Sequence, residues 1–213
     1  NTNNSPSFTL FIYGSLINNG TITGASGSNL RFFGATLSNS GSVTVSNFNL
    51  DSTTAVSGFG TWTGTNIYIG VNGNVSLMNN MTFAQSQLFS IKTGGVFSAN
   101  TFTATFTTGT IEILTGGTFV NSGNVWTQGN VNLNPRTGSS FNANLRVISG
   151  TTIAAELASP YNGRLYGNVT VDAGATLSVN NSPSYTLMIF GNVINNGTIA
   201  GTGDVEFQSG AHT

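Results

Sequence analysis

The sequence predicts an all-β fold: a single right-handed parallel β-helix of about ten coils, roughly 20 residues per coil. Three observations predict it. Short runs with apolar residues at alternate positions recur along the whole chain. Asparagines recur near the turns between them. Residues 3–24, NNSPSFTLFIYGSLINNGTITG, also return 177 positions later as residues 180–201, NNSPSYTLMIFGNVINNGTIAG, with sixteen of 22 positions identical.

The alternating runs start near Leu10, Leu30, Phe48, Ile67, Phe89, Ile111, Val131, Leu145, Val169 and Leu187. Most read apolar, any, apolar, a Gly-containing bend, then another apolar residue, as in LRFFGATL (30–37), IEILTGGTF (111–119) and VTVDAGATL (169–177). Period-two runs rich in β-branched and aromatic residues, separated by Gly and Asn, are strands and tight turns. The one helix-like stretch, IAAELA (153–158), is too short to count. Handedness follows the general rule for parallel crossovers.

The expected ladder at one turn is Asn18, Asn39, Asn79 (with Asn80 beside it), Asn100, Asn121 and Asn142, with Gly60 at the missing place. Stacked amides bond to the amides above and below, and asparagine tolerates the left-handed backbone of a tight corner. Ile22, Val43, Trp62, Phe83 and Phe102 follow as one expected inward column. Coils about 4.8 Å apart would build a rod about 48 Å long. No coil can bury its apolar side alone, so stability comes from stacking on neighbours.

Composition narrows the function classes. Charged residues are only 5% of the chain, against about 25% ordinarily, yet 38% of residues are apolar, including 15 Phe, so a core can form. The net charge of −1 and five scattered cations argue against nucleic acid as a partner. Without cysteine there is neither a disulfide framework nor a cysteine-type metal site. No apolar run approaches the roughly 18 residues of a membrane span, so membrane insertion is not expected.

The repeat divides the chain into one full module, 1–177, and the first coils of a second, 178–213, continuous with the same solenoid. Chains repeat a unit in this way when length is itself useful. The coil length, the NNGTI-type turns and the low charge resemble those of right-handed β-helices in bacterial exported adhesins. Filamentous haemagglutinin-like proteins and autotransporter passengers are the nearest kinds. The resemblance implies an extracellular or bacterial cell-surface location and a structural or adhesive role, and it transfers no binding residue.

No catalytic, cofactor or metal residues are expected. The six carboxylates, Asp51, Glu112, Glu156, Asp172, Asp204 and Glu206, fall in different coils apart from the last two, and the lone His212 offers no triad. Lys92 and Glu112 are expected to form a surface ion pair on adjacent coils. The segment 154–167 departs most from the coil template and gathers Glu156, Tyr161, Arg164 and Tyr166. It is expected to leave the rod as a contact loop, because loops carry specificity on repetitive scaffolds.

Phe11, Tyr13, Phe33 and Phe190 fall on the outward parity, an apolar strip suited to lateral assembly. The expected partners are therefore other copies, end to end or side by side, and a surface or glycan ligand. The flanked triplets TIT (21–23), SVT (42–44), TWT (61–63) and TFT (101–103) form a threonine column. That column keeps an ice- or carbohydrate-binding solenoid as the alternative, with a polysaccharide-degrading enzyme behind it.

Overall fold

The computed structural model describes residues 8–62, 66–83, 88–120, 123–136, 138–154, 162–179, 185–208, 211 and 213. The described residues form a β-solenoid of stacked coils without a helix, so none is long and apolar enough to cross a membrane. Every strand pairing is parallel. That arrangement follows from the sequence period, because each coil presents its N–H and C=O groups along the solenoid axis to the coils on either side.

The first sheet has ten strands in chain order, from Thr9–Ile12 and Asn29–Phe32 to Thr176–Val179 and Thr198–Gly201. The second begins at Leu16–Asn18 and ends at Asp204–Phe207. The third has six strands, Met81–Phe83 to Val193–Asn195. In the early coils the third side is closed by Thr21–Thr23 and by the far ends of the long strands Thr36–Thr44 and Thr53–Trp62, which bend round the corner. Coil length varies: stacked partners lie 18 residues apart at Asn29 and Asn47, 22 at Ser90 and Glu112, and 24 at Asn144 and Asn168.

Inward positions fill one continuous apolar core. Leu30, Phe48, Ile67, Phe89, Ile111 and Leu133 make one column of the first sheet, and all are at most 1% exposed. The middle coils carry phenylalanines on all three sheets. Phe83 stacks on Phe106 at 4.7 Å, while Phe97 meets Phe89 at 5.0 Å and Phe119 at 5.0 Å edge to face. Such pairs add about 0.5–1.5 kcal/mol beyond their buried area.

One corner shows why glycine recurs. Gly94, Gly116 and Gly138 have φ of 79°, 77° and 77°, and they stack through Gly94 N–H to Gly116 O and Gly116 N–H to Gly138 O. Only glycine takes this backbone without strain. Asn100, at φ 53°, is the one described residue other than glycine with a positive φ, and its side chain bonds to Ser98.

Two expectations about register are corrected. The runs from Leu10 to Val131 do fall on the first sheet, but Leu145 and Val169 lie on the third and Leu187 on the second. The short spacing before Leu145 is therefore a partial turn rather than a short coil. Of the expected inward column, Ile22, Val43 and Trp62 are backbone partners in register, but Phe83 pairs with Phe106 and not with Phe102.

The Phe cluster supplies a test. Phe97→Ala removes a side chain that touches three other rings. It is expected to cost about 3–5 kcal/mol in urea unfolding followed by circular dichroism.

Candidate functional site

Alternation turns every second strand residue outward, and parallel stacking lines these residues up in columns. On the first sheet one outward column runs Phe11, Arg31, Asn49, Tyr68, Ser90, Glu112, Asn134. On the third it runs Thr82, Thr105, Trp126, Arg146, Thr170, Ile194. The chemistry of the chain sits on these columns.

The charged groups share one geometry. Arg31 bonds to Asp51 at 2.8 Å, Arg136 to Glu112 at 2.7 Å and Arg146 to Asp172 at 2.9 Å. In each pair one residue lies two places beyond the other's in-register partner, a diagonal step that long side chains bridge. Lys92 makes the same diagonal to Tyr68, its ammonium 4.4 Å from the ring centroid. The expected Lys92–Glu112 pair is thus replaced: Arg136 and the Ser90 hydroxyl hold Glu112. Exposed pairs of this kind contribute about 0–1 kcal/mol each. Three of the six carboxylates are held by arginine, and no described group of three potential metal ligands comes together.

The asparagine ladder has a different course from the expected one. Asn18 donates to Asn39 Oδ1 at 2.8 Å, amide to amide, and both are buried. Asn79 and Asn100 donate instead to main-chain carbonyls, of Ser57 and Leu77. Asn121 lies outside the described residues. Asn142 is exposed and follows Phe141, the partner of Phe119, so it stacks over Val120 and Ser98 rather than Asn100. An interval of 21 residues does not hold register where the coils are 22 long.

A longer polar column lies at the start of the third-sheet strands, and of its members only Asn80 was expected in a ladder. Asn80 Oδ1 accepts Thr103 N–H at 2.9 Å, Asn144 Oδ1 accepts Asn168 N–H at 3.0 Å, and Asn168 Oδ1 accepts Asn192 N–H at 3.0 Å. Asn192 Oδ1 accepts Ala211 N–H at 2.7 Å, and Asn144 Nδ2 reaches Asn124 Oδ1 at 3.4 Å. A shorter column, Asn29, Asn47 and Asn66, starts the first sheet. An Asn or Thr opens or immediately precedes each strand of the longer column, and that is the signal that could have found it.

Of the expected lateral strip, Phe11 and Tyr13 are 48% and 73% exposed, and Tyr13 stacks on Phe33 at 5.2 Å. Arg31 lies 5.2 Å from the Phe33 centroid. Phe190 stacks on Tyr166 at 4.8 Å, but at a different corner. Tyr13 follows a first-sheet strand, whereas Phe190, its counterpart in the repeat, follows the second-sheet strand Thr186–Ile189. The four rings therefore form two separate patches, not one line. Likewise Leu16–Asn18 is on the second sheet and its copy Val193–Asn195 on the third. The repeat unit is eight full turns plus one side of the solenoid.

Of the expected contact loop, Glu156 and Tyr161 lie outside the described residues. Arg164 and Tyr166 are exposed on the rod itself: Arg164 belongs to the strand Asn162–Leu165 and sits in register with Met188, which separates it from Glu206 on the coil beyond. Thr103 of the threonine column is buried, at 8% exposure, because it opens a strand between Asn80 of the coil before and Asn124 of the coil after.

Two tests follow. Asn144→Ala orphans the Asn168 N–H and is expected to cost about 1 kcal/mol, while Asn142→Ala stays within about 0.5 kcal/mol; paired urea titrations read both. Burial pushes the Tyr68 phenol above its usual pKa, the Glu112 charge adds to this, and the Asn66 hydrogen bond opposes it. The unfolded chain then loses this proton first, so stability is full below about pH 10 and falls as pH rises beyond it. Tyr68→Phe is expected to flatten that fall in melts between pH 9 and 11.

Comparison with protein-family models, curated proteins and solved structures finds no match to this chain, so its function is read from the geometry alone.

Proposed function

We propose that the chain is a structural and adhesive module of a long repetitive extracellular fibre or cell-surface adhesin, of the kind bacteria export. One observation carries the reading. The returning motif does not pack against its first copy. It winds on as further coils, with Thr186–Ile189 hydrogen-bonded to Asn162–Leu165 before it and to Asp204–Phe207 after it. The strand Thr176–Val179 also runs across the repeat boundary. A unit that joins its successor inside one ladder transmits stacking without a hinge, as a stalk requires.

The outer surface supports the adhesive half of the reading. Six of its ten described charged residues are held in three local pairs, and the faces between them present aromatic rings, amides and hydroxyls. Such surfaces suit weak, repeated contacts that multiply along a fibre.

The test is length. Chains carrying one, two and three successive 177-residue units are expected to lengthen by about 40 Å per unit in small-angle scattering and negative-stain images. A two-unit chain that folds back into a particle of unchanged long dimension sinks the proposal.

A further inference from the structure

We infer that the third sheet carries a glycan-binding subsite around Trp126, taking a neutral, pyranose-based chain laid along the solenoid axis. The inference deepens the adhesive half of the reading above, because it names the ligand class of that surface.

Trp126 is the one described tryptophan side chain, and it sits half-buried in an outward column whose members are otherwise mostly threonines. Thr105, its neighbour one coil back, is too short to cover an indole ring. Arg146, one coil on, holds its guanidinium 5.5 Å from the ring centroid. Asp172 fixes that arginine through Nε at 3.1 and 3.0 Å and through Nη2 at 2.9 Å. The ring therefore has a steadied orientation before any ligand arrives, which lowers the cost of binding.

Beside the ring lies a shallow groove of about 280 Å³, floored by Asn124, Asn144 and Asn168 of the polar column and closed by Thr170. The column commits these side chains in one sense. Asn144 Oδ1 and Asn168 Oδ1 both accept from the backbone of the next coil. With these two oxygens held against the main chain, the groove is left with the Nδ2 of Asn168 and the second N–H of Asn144, whose first donates to Asn124 Oδ1 at 3.4 Å. An aromatic platform beside fixed polar groups is the composition of a ligand site.

The ligand class follows from charge and spacing. A pyranose offers an apolar C–H face to the indole and hydroxyl and ring oxygens to the amide donors. Successive sugars in an extended chain advance by nearly the coil spacing of about 4.8 Å, so a row of amides can meet a row of sugars. Asp172 neutralises Arg146, which leaves no net positive charge to select a sulfated or uronic chain.

The experiment is isothermal titration of the 213-residue chain with cellohexaose, maltohexaose and oligogalacturonate, beside Trp126→Ala, Asn168→Ala and, as a distant control, Tyr13→Ala. At least one neutral hexasaccharide is expected to bind. Trp126→Ala should weaken that binding at least tenfold and Asn168→Ala several-fold, with Tyr13→Ala unchanged and all melting curves cooperative. Trp126→Phe, which keeps a smaller platform, should fall in between. No neutral hexasaccharide bound at millimolar concentration, binding indifferent to Trp126→Ala, or binding of oligogalacturonate alone overturns the inference. A single chain suffices, so failure here is distinguishable from failure of the tandem units to lengthen.

Discussion

The constraint on which everything else depends is in-register parallel stacking of the backbone. A coil of about 20 residues has too little apolar surface to fold alone, and its peptide groups point along the axis rather than within the coil. Both deficits are met by the same neighbours. Strand N–H and C=O groups bond to the coils above and below, and the inward side chains of those coils close over one another. Phe89, for example, lies between Ile67 and Ile111 along the axis while touching Phe83 and Phe97 across the core. Backbone register and side-chain packing are thus one event.

That coupling explains how polar residues are used. Where a corner must pass close to its neighbour, a side-chain amide takes over the ladder: Asn18 to Asn39 in the early coils, and the Asn144, Asn168 and Asn192 series in the late ones. The amides extend coil-to-coil bonding beyond the ends of the strands. The arginine–carboxylate diagonals lie outside this system and can vary without disturbing it. A surface of this kind is free to acquire binding chemistry one column at a time.

Much of this was legible in the chain. Alternation at Leu30, Phe48, Ile67 and Ile111 marked both the strands and the inward parity, because burial on one side leaves a period-two imprint. The repeat marked continuation. What a fixed interval could not deliver was register. Coils vary from 18 residues at Asn29 to 25 at Thr151, so a ladder counted at constant spacing drifts from one corner to the next, as it did between Asn100 and Asn142. The same drift hid Trp126 and Arg146, which are distant in sequence yet in register on adjacent coils. Local turns survived: Gly20 bonds to Asn18 Oδ1, and Gly197 bonds to Asn195 Oδ1 in the copy, although the two turns lie at different corners. Local sequence sets the turn, and the accumulated coil lengths set where it points.

That separation has an architectural consequence. A unit of eight windings and one further side acts as a screw operation with three positions. A fibre assembled from such units would return to its starting azimuth only after every third unit, a pitch of about 120 Å. A flat surface lying against it would meet equivalent patches at that long interval, whereas ligands diffusing from all directions would find them around the whole circumference.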